Sequence, residues 1–397
     1  MSKYSLIKRG CCPWGIILCI SVGMMLSSCR GDEYVTLMQE QVIEQQTSHD
    51  ARGMYLLCEG NMGSNKATVD YLDLSATDGM VHYQRNIFGS RNPSALLELG
   101  DMGNDIQVYG QKLWIVVNAS NKVEVCTADS CRRLGQVDIP ACRYVAFDDG
   151  YAYVSSYAGT MQSGEDAPIG RVYKVDTLSL QTVGFVEVGY QPEEMAITDG
   201  KLYVANSGGY LWPTYDKRVS VIDLATFTEE RKLDVAVNLH RLRADRYGQI
   251  WVSSRGDYSS APSALYCLAE DGEGKMAVAD ELNVVVSEMC IVGDTLYYIG
   301  SLYDMTTYGY VISMGLVNVR THQRIATTLF DAAEIQSMTM PYGLIVNPRQ
   351  KDFYLMDAKD YTSSGELLHF SADGQFLWRQ WTGTIPSRAC FVGATFQ

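Results

Sequence analysis

Few residues of the sequence have the type and spacing that catalysis requires. The five histidines, His49, His82, His240, His322 and His369, stand apart, and none is paired at metal-ligand spacing. A G-x-S-x-G nucleophile elbow, a Walker loop and a G-x-G-x-x-G turn after a strand are also absent. We therefore predict no catalytic residue, no metal and no cofactor. His240 precedes a predicted strand and is a candidate for ligand contact, although a solvated or core position is commoner for such a residue.

Residues suited to binding are more numerous and form two sets. The first set has one residue per repeat of the chain, where a strand enters a central channel: Arg388, Asp105, Tyr144, Glu194, Arg241, Glu288 and Gly343. The second set lies in predicted loops at the same end: Asn61, Tyr157, Tyr210, Trp212, Tyr215, Arg255, Tyr258, Tyr303, Tyr308 and Tyr361. Tyrosine, tryptophan and arginine are enriched at recognition surfaces. The mixed donors and acceptors favour a polar, roughly neutral ligand, and we expect about half of the tyrosines to pack between repeats instead.

A short repeated segment predicts the elements that position these residues. Seven copies of an apolar–aromatic–apolar pattern are centred on Tyr55, Trp114, Tyr153, Tyr203, Trp251, Tyr297 and Tyr354. Their spacing of 39 to 59 residues leaves room for about four short strands and their turns, the content of one β-propeller blade. Alternation such as Val219-Ser220-Val221-Ile222 is typical of a strand. We predict an all-β, seven-bladed propeller over residues 52–397, with binding residues at the entry face, where the inner strands begin.

The two ends of the predicted propeller complete one blade. No apolar strand precedes the first aromatic segment, and the strand Pro386–Val392 has an inner-strand pattern with no blade after it. We expect this last strand to become the inner strand of the first blade, because ring closure removes exposed sheet edges. A β-sandwich or β-helix does not explain why the missing strand lies at the far end.

The first residues predict export and lipid anchoring. Lys3, Lys8 and Arg9 precede a short apolar stretch, Gly15 to Leu26, that has the length of a signal-peptide core. Leu26-Ser27-Ser28-Cys29 resembles the lipobox of bacterial lipoproteins, which implies cleavage after residue 28 and acylation of Cys29; an ordinary secretory signal is the alternative. The acidic run after Cys29 resembles a signal for display on the outer face of the outer membrane. Residues 29–51 are interpreted as a tether.

The net charge bears on which partners the protein can bind, and the number of cysteines bears on disulfide bonding. The formal net charge of −14 argues against nucleic acid, because a polyanion repels phosphate backbones. Beyond Cys29 there are seven cysteines, so at least one is unpaired. Cys126 and Cys131 flank a predicted hairpin turn, where a disulfide is one possibility and buried thiols are the other.

Three segments carry a resemblance to a known family. They are Cys58-Glu59-Gly60-Asn61-Met62-Gly63-Ser64-Asn65, Gly103-Asn104-Asp105-Ile106 running on to Asn118, and Leu202 to Asp223. These resemble the YncE-like seven-bladed propeller lipoproteins, and among them the BtuG type, which binds cobalamin at the cell surface. The resemblance spans nearly all of residues 52–397, mainly in strand and turn residues.

This resemblance implies a binding function without catalysis. A BtuG-type protein captures a corrinoid outside the cell and passes it to a TonB-dependent outer-membrane importer. A corrinoid is broad and fringed with amides, and each amide left unpaired on binding costs about 1–3 kcal/mol. Two alternatives remain: a module for another nutrient or a glycan, and a metal-dependent propeller lactonase or lyase that uses channel carboxylates.

Overall fold

Antiparallel strands build seven sheets that follow one another along the chain. The computed structural model describes residues 40–43, 51–76, 78, 80–93, 98–159, 166–304 and 309–393. Cys29, the predicted signal peptide, most of the predicted tether and Tyr308 lie outside these residues. The described sheets form an all-β, seven-bladed propeller, which confirms the predicted fold class.

The strands group into blades in chain order. Blade 1 contains β1 (Glu40–Ile43), β2 (Gly53–Cys58), β3 (Thr68–Asp73) and β4 (Val81–Gln84). Blades 2 and 3 contain β5 (Gly103–Tyr109), β6 (Lys112–Val117), β7 (Lys122–Thr127), β8 (Arg133–Asp138), β9 (Cys142–Asp148), β10 (Tyr151–Ser156), β11 (Arg171–Asp176) and β12 (Thr182–Glu187). Blades 4 and 5 contain β13 (Pro192–Thr198), β14 (Lys201–Asn206), β15 (Arg218–Asp223), β16 (Thr228–Asp234), β17 (Leu239–Ala244), β18 (Ile250–Ser254), β19 (Ala264–Glu270) and β20 (Met276–Leu282). Blades 6 and 7 contain β21 (Glu288–Val292), β22 (Thr295–Asp304), β23 (Gly309–Asn318), β24 (Gln323–Ile325), β25 (Pro341–Val346), β26 (Phe353–Asp357), β27 (Ser364–Phe370) and β28 (Phe376–Thr384), and β29 (Pro386–Val392) ends the series.

The seven aromatic segments form the second strand of each blade. Their central residues lie on β2, β6, β10, β14, β18, β22 and β26. These strands are buried on both faces because neighbouring blades pack against them. Trp114 of blade 2, for example, shares one apolar cluster with Val145 and Val154 of blade 3. The core therefore lies between blades, and the outermost strands, such as β12, are largely exposed.

The ring closes as the chain ends predict. β29 pairs antiparallel with β2, from Gly53 opposite Val392 to Cys58 opposite Pro386. β29 also packs beside β5 and β25, the inner strands of the two neighbouring blades. The last strand of the chain therefore supplies the inner strand of the first blade.

Blade 1 has a fifth strand inside the segment that was expected to be a tether. β1 pairs with β4, from Glu40 opposite Gln84 to Ile43 opposite Val81. The segment lacks a sustained apolar pattern, and backbone pairing to the open edge of β4 accounts for the strand, since an edge presents unpaired N–H and C=O groups.

Helices are confined to two short turns among the described residues. α1 (Ile87–Arg91) begins at Asn86, whose side chain accepts a hydrogen bond from Gly89 N–H, and α2 (Ala333–Gln336) precedes blade 7. The repeated strand pattern of the sequence predicts neither of these helices. In the part of the chain that the structure describes, no helix has the length and apolarity needed to cross a membrane.

The seven cysteines past Cys29 are free thiols that are buried or partly buried. Cys126 and Cys131 are both free and fully buried. Burial also raises the pKa of Cys142 to about 12, which keeps that thiol protonated. Of the two readings of the Cys126–Cys131 pair, the structure contains the buried thiols.

Candidate functional site

The inner strands bring the first set of binding candidates together around the channel. Each of these candidates lies on a different inner strand, in the order β29, β5, β9, β13, β17, β21 and β25. Asp105, Tyr144, Glu194, Arg241 and Glu288 are all nearly fully buried. Gly343 offers no side chain, and an added Cβ would lie 2.3 Å from the sulfur of Met356.

A bulge near the start of most inner strands inserts one extra residue beside the channel. On β13 three residue steps, Pro192 to Met195, lie opposite two steps on β14, and β17 has the same irregularity between Leu239 and Leu242. An extra residue disturbs strict alternation and re-aims side chains. Glu193 and Glu194 are consequently both buried, at 1% and 5% exposure. A period-two pattern cannot predict such neighbouring pairs.

Five charged side chains meet in what we call the ion-pair cluster: Glu194, Glu288, Arg241, Arg243 and Arg388. Glu288 lies 3.2 Å from Arg241 Nε and 3.0 Å from Arg243 Nη2. It also lies 2.9 Å from Arg388 Nη1. Glu194 contacts the same three arginines, with Oε1 at 3.7 Å from Arg241 Nη1. Two carboxylates thus share three guanidinium groups, which leaves one positive charge in excess.

The arginines keep Glu194 ionised despite its burial. Burial alone would raise the pKa of Glu194, but Arg243, Arg388 and Arg241 outweigh it and hold that pKa at about 2. Leu242 N–H donates to Glu194 Oε2 at 2.9 Å and further favours the carboxylate. Glu194 is therefore negatively charged throughout the physiological pH range.

A second charged group surrounds Glu193. Its Oε2 accepts from Arg143 Nη2 at 2.8 Å, and its Oε1 accepts from the Tyr157 hydroxyl at 2.7 Å. Arg255 lies farther away, with Nη1 at 3.8 Å from Glu193 Oε1. The Arg255 side chain is 34% exposed, and within the described residues Glu193 is the only carboxylate it contacts. This group also has one positive charge in excess.

The two charged groups border an open pocket of about 420 Å³ at the entry face. Arg143, Arg241, Arg255, His240 and Glu59 line it. Seven tyrosines also line it: Tyr144, Tyr210, Tyr258, Tyr303, Tyr310, Tyr342 and Tyr361. This pocket, which we call the tyrosine pocket, offers aromatic surface together with charged donors. Its size is in the range of small-molecule sites.

An extended hairpin forms one side of the tyrosine pocket. β22 and β23 pair over ten residues each, but β21 pairs only with the first five residues of β22. The distal part of the hairpin is therefore a two-stranded ribbon, from which Leu302, Tyr303 and Tyr310 line the pocket. The rings of Tyr303 and Tyr310 meet edge to face with centroids 5.2 Å apart. The sequence predicts a loop here, but β-branched and aromatic residues extend the strands instead.

Seven of the predicted binding residues line the tyrosine pocket: Tyr144, Tyr210, Arg241, Arg255, Tyr258, Tyr303 and Tyr361. The others lie elsewhere. Glu194, Glu288 and Arg388 belong to the ion-pair cluster, which adjoins the pocket through Arg241. Asp105 accepts from Val145 N–H at 3.0 Å, and burial raises its pKa.

The remaining loop residues have mainly structural contacts. Tyr157 is buried against Glu193, and Asn61 donates to the Tyr361 carbonyl. Tyr215 is half-buried, and Trp212 is 73% exposed; neither lines the tyrosine pocket. Of the predicted loop tyrosines, Tyr210, Tyr258, Tyr303 and Tyr361 line the tyrosine pocket, whereas Tyr157 and Tyr215 do not.

His240 combines deep burial with an unsatisfied ring nitrogen. It is 5% exposed, and its Nε2 lies 3.5 Å from the Tyr144 hydroxyl, which itself accepts from Arg241 at 2.7 Å. Burial and then the nearby arginines, Arg241 foremost, keep its pKa well below the usual range, so the ring is neutral at pH 7. Its Nδ1 has no hydrogen-bond partner among the described residues.

Glu59 is the acidic residue of the pocket that the sequence analysis did not select, although it lies in the quoted segment Cys58–Asn65. It directly follows β2, is half-buried, and its Oε2 accepts from the Tyr342 hydroxyl at 3.4 Å. Burial raises its pKa to about 7, against the lowering effect of Arg143, Arg241 and Arg388. Glu59 therefore changes charge near neutral pH.

Glu59 is expected to make folding stability fall as pH rises from about 4.5 to 7. In that interval the unfolded chain has lost the proton and the native protein keeps it, so the native state binds more protons and is destabilised by rising pH. The cost reaches at most about 3 kcal/mol. Urea unfolding of Glu59→Gln between pH 4 and 8 should lack this decline. An unchanged slope relative to the parent chain contradicts the assignment.

The carboxylates are not arranged as a metal site in the described part of the chain. No three His, Cys, Asp or Glu side chains lie together as a group that could hold an ion. The acids named above are instead hydrogen-bonded or paired with arginine.

Fold and pocket together define a seven-bladed β-propeller with a tyrosine- and arginine-lined entry face. No protein-family model matches the chain, and no curated protein matches its sequence. The chain is similar in structure to Kuenenia stuttgartiensis hydrazine synthase, with 14% identity and a TM-score of 0.59 over 72% of this chain and 88% of that one.

Two further solved structures cover more of the chain. One is a hypothetical selenium-binding protein from Sulfolobus tokodaii, with 11% identity and a TM-score of 0.57 over 86% of this chain and 93% of that one. The other is a quinonprotein alcohol dehydrogenase-like protein from Bacteroides thetaiotaomicron, with 13% identity and a TM-score of 0.54 over 87% and 79%. At these identities the similarity shows the propeller fold alone.

Proposed function

We propose that this protein is a non-catalytic capture lipoprotein that binds cobalamin or a related corrinoid in the tyrosine pocket. The observation that carries the proposal is the convergence of seven tyrosines and three arginines on one open pocket. Aromatic rings contribute large contact area with a polar edge, and the arginines donate hydrogen bonds to amide and phosphate oxygens.

The exposed rim supports a ligand larger than the pocket itself. Tyr258 is 67% exposed and Tyr310 is 50% exposed, yet both line the pocket. A corrinoid would place one edge among the buried donors and lay its broad face against these rings. Desolvation of such aromatic residues is a frequent source of binding energy.

We propose that the corrinoid passes from the entry face of this protein to the importer. The ion-pair cluster draws Arg241, Arg243 and Arg388 onto two buried carboxylates at the channel. A ligand held above it would leave by the mouth of the pocket. We therefore propose that a TonB-dependent outer-membrane importer docks at this face, with the protein held at the outer membrane through acylated Cys29 and facing the exterior.

Calorimetric titration with cyanocobalamin tests this function. The chain beginning at Arg30 lacks the predicted lipid-bearing cysteine and retains every described residue, including β1. We expect one-to-one binding and a change in the corrinoid absorbance. Tyr258→Ala should weaken binding by about 30-fold, since loss of a major aromatic contact costs about 2 kcal/mol.

Tyr247→Ala is the matched control. Tyr247 is also an exposed tyrosine, at 45%, but it donates to Asp294 and does not line the pocket. Equal losses in the two variants would contradict the assignment of the pocket. Absence of binding by the folded parent chain would remove the corrinoid proposal altogether.

A glycan-binding module is the second candidate because of Trp212. Its side chain is 73% exposed on the loop that also carries Tyr210. A flat exposed indole is suited to stacking on a sugar ring. Glycan binding that is lost in Trp212→Ala, together with no binding of cyanocobalamin, would favour this candidate.

A further inference from the structure

Positive charge exceeds negative charge around the tyrosine pocket. Arg143 and Arg255 share Glu193, while three arginines of the ion-pair cluster share two glutamates. Five arginines therefore face three glutamates, which leaves 5 − 3 = 2 positive charges. In a chain with a net charge of −14, this is a local reversal of sign.

Two further carboxyl groups adjoin these arginines, and neither balances them fully. Burial raises the pKa of Asp105 and raises that of Glu59 to about 7. When Glu59 is protonated, a positive charge beside the pocket lacks a counter-ion. A buried charge without a partner is unfavourable, and an anion that takes this place is stabilised.

Arg255 is the arginine best placed to receive such an anion. It lines the pocket, its side chain is 34% exposed, and its contact with Glu193 is long at 3.8 Å. Arg143 and Arg241, in contrast, are already held by short contacts to Glu193 and to the Tyr144 hydroxyl.

We propose that the tyrosine pocket binds an oxyanion of its ligand, a phosphate or carboxylate group, beside Arg255, and that Glu59 takes up a proton when this anion binds. The inference rests on the proposed function in that the pocket is a ligand site. The anion replaces the Glu59 carboxylate as the counter-charge of the arginines, because two anions close together disfavour each other's ionisation.

Glu59 is surrounded by groups that fix the sign of this coupling. The groups that face it come from β9, β17, β25, β29 and the turn after β26: Arg143, Arg241, Tyr342, Ser387, Arg388 and Tyr361. The arginines keep their charge at all relevant pH values, so Glu59 is the group that titrates. Affinity for the anion should therefore fall by about tenfold per pH unit above pH 7.

Calorimetry with cyanocobalamin, whose nucleotide loop contains one phosphodiester, measures the coupling directly. Titrations at pH 7.5 in two buffers of different ionisation enthalpy should reveal uptake of a substantial fraction of one proton. Glu59→Gln should bind equally well at pH 6 and pH 8, without proton uptake. The exposed Glu273→Gln should behave as the parent chain.

Arg255→Ala should weaken binding of cyanocobalamin about 10- to 100-fold through loss of a charge-assisted hydrogen bond. Arg246→Ala is its control, because Arg246 is 64% exposed and pairs with Asp294 away from the pocket. Dicyanocobinamide, which lacks the phosphodiester, should show no proton uptake. Since proton uptake is measured on the parent chain, the test does not depend on how the variants fold.

Titration with inorganic phosphate and with acetate separates this inference from the proposed function and identifies the class of oxyanion. Cyanocobalamin binding without proton uptake would overturn the inference and leave corrinoid capture standing. Phosphate or acetate binding with proton uptake that is lost in Glu59→Gln, but no cyanocobalamin binding, would uphold the anion site and overturn the corrinoid. If cyanocobalamin, phosphate and acetate all fail to bind, both the anion site and corrinoid capture are overturned.

Discussion

Replacement of Glu194 by glutamine should lower the free energy of unfolding by about 3–5 kcal/mol at pH 7. The substitution keeps the shape of the side chain but removes one of the two carboxylates that neutralise Arg241, Arg243 and Arg388. Three guanidinium groups would then share Glu288 alone in a nearly water-free setting. Urea denaturation followed by tryptophan fluorescence measures the loss.

Glu187→Gln provides the matched control for this prediction. Glu187 also pairs with an arginine, Arg171, at 3.3 Å, but its side chain is 55% exposed. Exposed ion pairs contribute about 0–1 kcal/mol. If Glu194→Gln costs no more than Glu187→Gln, the ion-pair cluster does not stabilise the channel as described.

A chain that ends at Thr384 should fail to fold cooperatively. It lacks β29, so β2 loses its inner partner and the apolar face shared by Tyr354 and Met54 is opened. Loss of β29 also exposes the edge of the buried strand β2, and an exposed edge favours aggregation. Circular dichroism during thermal unfolding should show no sharp transition.

The comparison is a chain that ends at Gly393 and keeps every described residue of the propeller. It retains the bond from Arg52 N–H to the Val392 carbonyl, at 2.9 Å, that ends the closure. This chain should unfold in one sharp transition. A cooperative transition in the chain that ends at Thr384 would show that β29 is dispensable for the ring.

The blade repeat could be predicted because its signal is strong and local. Each second strand is buried between blades, so it needs an aromatic residue flanked by apolar ones, as at Trp251. The same periodicity places candidates such as Arg241 on inner strands. Closure by β29 follows from counting strands at the two ends of the chain.

The composition of the site could not be predicted to the same extent. A bulge brings the unpredicted Arg143 to the pocket beside the expected Tyr144, and another brings His240, a candidate for ligand contact, beside Arg241. A bulge changes the period that the prediction relies on. Glu59 lies just beyond its strand, where no alternation applies. The ion pairs join residues from distant blades, and their pairing depends on the closed ring.

The charge arrangement connects stability and binding in this propeller. Glu194 remains ionised because Arg243, Arg388 and Arg241 outweigh its burial. Glu59, with fewer direct contacts, is left with a pKa of about 7. Paired carboxylates thus hold the channel together, whereas binding of an anion is expected to change the charge of Glu59.

A crystal structure grown with cyanocobalamin would show whether the tyrosine pocket captures a corrinoid. We expect electron density for the corrinoid in the tyrosine pocket, against Tyr258 and the β22–β23 hairpin, with its phosphodiester beside Arg255. Density for the ligand at another face, or an empty pocket at a saturating corrinoid concentration, would contradict the claim that this pocket captures a corrinoid.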